Sequence, residues 1–88
     1  MSVWEEAAAE RARAHAKHGD KSMESAGWDD MKRLRILIEE VGEVARAFND
    51  WDLGLASRAE TRADVRAELI QVAAMAGAWA DAVPGATS

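Results

Sequence analysis

Between Glu68 and Asp81 the chain carries no charge: the 12 residues from Leu69 to Ala80 are apolar or glycine apart from Gln71. Alanine, leucine, methionine and glutamine favour a helix there, and no proline interrupts it. A helix that is apolar on every side is stable only where it is covered on every side. The chain has 88 residues and no cysteine. A domain this small buries only ~60% of the surface that its unfolded form exposes, and neither a disulfide nor a thiolate metal site can add support. Two further helices are not expected to cover the apolar run, so a second subunit is. Gln71, inside that run, must find hydrogen-bond partners or cost a few kcal/mol. Glu68, one turn earlier, poses the same problem for a charge.

Three helical segments account for the sequence, giving an all-α fold in one domain over residues 1–88 with no strand-like alternation and no internal repeat. The first runs from about Val3 to Lys17 and stops at the glycine of His18-Gly19-Asp20. A loop follows as far as Trp28. Asp29 or Asp30 caps the second helix, which reaches about Asn49 or Asp50. A short linker holding Trp51 and Gly54 leads to Ser57-Arg58-Ala59-Glu60, which has the form of a capping box. The third helix opens there, continues to about Val83 and is stopped by Pro84-Gly85.

Charge excludes several function classes. Eleven Lys and Arg against 16 Asp and Glu leave a net charge of −5, and no basic run stands out, so neither a nucleic acid nor an anionic membrane surface is an expected partner. Glu5, Glu6 and Glu10 occupy the place where a secretory signal would be basic and then apolar. The 12-residue uncharged run is well short of the ~20 residues that span a bilayer. A cytoplasmic protein is expected. An acidic chain that takes a phosphate ligand requires a metal to bridge the two.

The second helix has two faces that do not divide simply into core and solvent. At 100° per residue, Leu34, Leu37, Ile38, Val41, Val44, Ala45 and Phe48 form an apolar stripe, the expected core contact. Opposite it Glu39, Glu40 and Glu43 cluster together with Ile36 and Ala47, and no lysine is interleaved as i,i+4 support would require. After a gap of 24 residues from Glu43 comes Glu68-x-x-Gln71 on the next helix. If the two helices are antiparallel these groups converge, as carboxylates do in metal sites of helical bundles. Glutamate oxygens suit Mg²⁺ or Mn²⁺. Nine glutamates in the chain also make a solvated acidic face a simple alternative.

Glu39-Glu40-Val41-Gly42-Glu43 with Glu68-Leu69-Ile70-Gln71 resembles the EExxE and ExxD signature of the MazG-like all-α nucleoside triphosphate pyrophosphohydrolases, which include dimeric dUTPases and phosphoribosyl-ATP pyrophosphatases. Glu10-Arg11 through Lys17-His18-Gly19 is similar to an N-terminal stretch of the small actinobacterial and phage-type members. The resemblance implies a fold in which helices 2 and 3 form a four-helix bundle across a homodimer or within a homotetramer, with helix 1 outside. It implies Glu40, Glu43, Glu68 and Gln71 as ligands or close supports of Mg²⁺ or Mn²⁺, with Glu39 or Glu40 orienting or deprotonating the attacking water. The implied reaction is hydrolysis of a nucleoside triphosphate to the monophosphate and pyrophosphate, in control of the nucleotide pool. Gln71 stands where the signature ends in Asp. Its amide can ligate a metal but is neutral and cannot act as a base, so a nucleotide-binding sensor or sequestering protein without turnover is an alternative, and a structural helical oligomer a second one.

Other residues could meet the substrate. Trp4, Arg11, His15 and His18 share one side of helix 1, where an arginine and histidines can reach a phosphate or base, or else form a polar margin with buried stems. Lys17, Lys21, Lys32 and Arg33 lie in or near the loop before helix 2, with solvated surface as the default for each. Trp28 and Trp51 flank helix 2 and can stack on a base or anchor the core. Met75 and Trp79 read as core or subunit contact.

Overall fold

The computed structural model describes residues 1–18 and 29–83, which form three helices: α1 (Val3–His18), α2 (Asp30–Asp52) and α3 (Arg58–Ala82). The all-α reading holds. Lys21, Trp28 and the Pro84-Gly85 stop lie outside the described residues.

Local chemistry explains the helix ends. Asp29 is the N-cap of α2, its carboxylate accepting the Lys32 amide at 2.7 Å. The capping box at the start of α3 is formed in full: Ser57 Oγ accepts from the Glu60 amide and Glu60 Oε1 from the Ser57 amide, each at 3.1 Å. Ser2 and Glu5 make the same reciprocal pair at the head of α1, a second Ser-x-x-Glu box that the sequence reading passed over. Trp51, expected in the linker, is helical, because α2 continues to Asp52. Its end is a Schellman turn in which the Gly54 amide bonds Trp51 O at 2.9 Å and the Leu55 amide bonds Asp50 O at 2.8 Å. Gly54 adopts φ of 74° there, a conformation that glycine reaches without steric cost.

α3 is the centre of the fold. It packs against α2 on one flank and α1 on another, while α1 and α2 make no close backbone approach to each other among the described residues. The indole Nε1 of Trp79 donates to Asp30 Oδ1 at 2.9 Å, tying the end of α3 to the start of α2 and making the pair antiparallel. Arg66 to Glu6 and Arg11 to Asp81 fasten α1 along α3, the two running in the same direction. Within one chain the apolar run is covered only in part: Ala74 and Ala78 are buried, Ile70, Val72, Met75 and Trp79 are half-buried, and Leu69, Ala76, Gly77 and Ala80 are exposed. The core is thin. Among the described residues its buried apolar members are Ala7, Ala74 and Ala78, and no large side chain is wholly enclosed. The radius of gyration of 14.5 Å exceeds the ~12 Å of a compact chain of this length, as expected of a layer of helices that does not close on itself.

The face of α2 that turns inward is not the expected one. Arg33, Ile36, Leu37, Glu40, Val44, Ala47 and Asp50 are the buried or half-buried positions, whereas Leu34, Ile38, Val41, Ala45 and Phe48 are exposed. The stripe expected to be the core contact is therefore largely outward, and the side that carries Glu40 packs on α3. With its partner helix joined by a short linker, α2 has one inward flank; the rest of its apolar surface is left over. Arg33, expected at the surface, is only 5% exposed and pairs with Asp30 at 3.3 Å.

Candidate functional site

The antiparallel pairing of α2 and α3 brings two of the acidic residues together. Glu40 lies on the inward face of α2, and Glu68 opposes it from α3, near enough for the two carboxyls to share a hydrogen bond. Loss of solvent, first, and then that hydrogen bond and the charge of Glu68, with smaller contributions from Glu43 and Glu39, push Glu40 from 4.5 up to about 7. Two carboxylates at such a distance cannot both ionise cheaply. Glu68 Oε2 is fully enclosed and meets no donor. Near neutral pH this pair holds a proton or calls for a cation.

The remaining acids are arranged differently. Glu39 and Glu43 are exposed, and Glu43 pairs with Arg46 at 3.5 Å, one turn along the helix. Among the described residues no group of three or more carboxylates and imidazoles is assembled as a metal-holding set. Gln71, one turn beyond Glu68, is half-buried rather than enclosed, so its amide does not carry the full penalty expected of a buried polar group.

The residues of α1 lie on a different flank of α3 from Glu40. Arg11 bonds Asp81 Oδ2 at 2.6 Å and serves to hold α1 in place. His15 and Lys17 are exposed on the same helix. Trp51 sits at the far end of α2, 44% exposed. Asp30 escaped the sequence reading as more than a cap candidate, yet one of its oxygens accepts from both Trp79 and Arg33. An acid at the first turn of one helix and a tryptophan near the end of its antiparallel neighbour is the signal that points to such a pair.

The chain matches none of the protein-family models, curated proteins or solved structures with which it was compared. No helix among the described residues is long and apolar enough to cross a membrane.

Proposed function

We propose that the protein is a metal-dependent nucleoside triphosphate pyrophosphohydrolase acting on the cytoplasmic nucleotide pool, with the Glu40–Glu68 pair as its cation-binding centre. The observation that carries this reading is the enclosed, donorless Glu68 Oε2 opposite Glu40. Hard oxygen donors of this kind fit Mg²⁺ or Mn²⁺. Mg²⁺ is commonly held by one or two protein carboxylates and completes its shell with water and substrate phosphates, so a pair suffices. The motif spacing described above supports the same assignment. Glu40 and Glu68 would hold the ion, with Gln71 and Glu43 at its margin. The ion would screen phosphate charge and polarise the phosphorus. Glu39, exposed beside the pair, has a free carboxylate to orient water and take its proton.

The proposal includes a homodimer or homotetramer. The thin core and the exposed row Leu34, Ile38 and Val41 on α2 support a four-helix bundle completed by a second copy. The apolar run of α3, of which Leu69, Ala76, Gly77 and Ala80 are exposed within one chain, adds to the surface a partner would cover.

A panel of canonical and modified triphosphates, including dUTP and alarmone-type nucleotides, with Mg²⁺ or Mn²⁺ tests the reaction. Pyrophosphate release from at least one is expected, and release from none overturns the enzymatic reading. Gln71, which cannot act as a base, favours a second reading as a nucleotide-binding protein without turnover. Metal-dependent binding by calorimetry in the absence of hydrolysis would select it, and neither binding nor hydrolysis would leave a structural oligomer.

A further inference from the structure

A cavity of about 480 Å³ lies between the C-terminal end of α2 and the first half of α3. Phe48, Trp51, Val65, Leu69 and Ile70 form its walls, and Val3 of α1 closes one end. Its volume is in the roughly 300–1,000 Å³ range of small-molecule sites. The walls are almost wholly apolar: Thr61 is 2% exposed and donates its hydroxyl to Ser57 O at 2.9 Å.

The rim is cationic. Arg58, Arg62 and Arg66 follow one another at i,i+4 spacing along α3, lining the cavity with their apolar stems while the residues themselves are exposed. Arg66 is committed to a bidentate pair with Glu6, which that guanidinium holds below the usual carboxylate range. Arg58 and Arg62 have no ion pair among the described residues. Two uncompensated guanidiniums one turn apart, on a chain of net charge −5, concentrate positive potential at the mouth of an apolar, aromatic-walled hollow.

We propose that this cavity binds an amphiphilic organic anion, its apolar chain or ring between Phe48, Trp51 and Leu69 and its carboxylate or phosphate head against Arg58 and Arg62. Guanidinium groups recognise such heads through paired, charge-assisted hydrogen bonds. The ligand is a free small molecule and not a lipid within a bilayer, because the site is concave and the rest of the acidic chain is repelled by an anionic surface. A second copy of the chain fits less well, since covering the mouth would strip water from both guanidiniums without an anion to pair them. The inference does not depend on the nucleotide reading.

Calorimetric titration of the full chain with octanoate, and with octanol as its uncharged counterpart, tests the proposal, with sedimentation velocity on the same samples. Octanoate is expected to saturate one site per chain, and octanol to bind about tenfold more weakly, the loss anticipated for one charge-assisted contact. The double variant Arg58→Gln/Arg62→Gln is expected to lose octanoate affinity by at least about tenfold while keeping its helical circular dichroism. Leu69→Asp, which puts a carboxylate on the wall, is expected to abolish binding. Octanoate binding that is absent, matched by octanol or unchanged in the arginine double variant overturns the proposal. So does a dimer that refuses octanoate and becomes monomeric on Leu69→Asp, because a second copy then occupies the cavity.

Discussion

Glu40 and Glu68 face each other across the α2–α3 interface, close enough to share one proton, and the enclosed oxygen of Glu68 has no donor to replace it. In the unfolded chain Glu40 titrates at its ordinary 4.5, and in the fold at about 7. Between those values the folded state binds the extra proton, so stability falls as pH rises. The contribution is complete below about 4.5 and is lost as pH passes through about 7. Glu40 is only partly buried, so of order 1–2 kcal/mol is expected after allowing for solvent screening. Metal-free urea denaturation at pH 5 and pH 7.5 measures it. Glu40→Gln, which keeps the shape without the charge, should flatten this part of the profile and be more stable than the parent at the higher pH.

A cation in place of the proton reverses that sign. Millimolar Mn²⁺ is expected to raise the melting temperature at pH 7.5 and to release protons on binding near pH 6.5, since the ligands must be ionised. Glu68→Gln should remove both effects. A melting temperature indifferent to Mn²⁺ and Mg²⁺ would leave the carboxylate pair a structural proton-binding element.

Gln71 and Glu43 should respond differently to substitution. Gln71→Asp adds an ionised oxygen ligand one turn from Glu68 and is expected to tighten Mn²⁺ binding severalfold by calorimetry. Unchanged affinity would place Gln71 outside the site. Glu43 is turned to Arg46, so Glu43→Gln should weaken the metal less than Glu68→Gln does.

The exposed apolar row on α2 gives a prediction about assembly. Ile38 is 58% and Val41 52% exposed within one chain. Aspartate at either position is expected to shift sedimentation from a dimer or tetramer to a monomer with a lower melting temperature, because the isolated chain has little core. An unchanged sedimentation coefficient would remove this row as the seam.

Gly54 closes α2 in a left-handed conformation with open space around it. Gly54→Ala meets no steric contact with its surroundings, so its cost is conformational alone, about 1 kcal/mol. A Ser57→Ala change at the neighbouring cap should cost a similar amount, about 1 kcal/mol. Equilibrium denaturation of the two variants checks both values.

The local signals were the legible ones. Asp29, Ser57 with Glu60, and Gly54 mark helix ends by chemistry contained in a few consecutive residues, and the helices begin and end near them. The gap of 24 residues between Glu43 and Glu68 anticipated that acids of α2 would meet α3. It could not say which ones, because Glu39, Glu40 and Glu43 differ only in their angle about the helix axis. Likewise Arg58, Arg62 and Arg66 are spaced alike in the sequence, yet only Arg66 finds a carboxylate, supplied by α1.

What the sequence by itself determined is an acidic, three-helix chain with capped ends, acids on two successive helices and more apolar surface than one small chain can bury. Only the tertiary structure decided that α3 lies between its neighbours, that α2 turns Glu40 inward with its apolar row outward, and that Glu68 is left with an unpartnered oxygen. The reason is physical. A helix sequence fixes the angular order of its side chains through the 3.6-residue period, but the rotation of that helix against its neighbour is set by how the two surfaces pack.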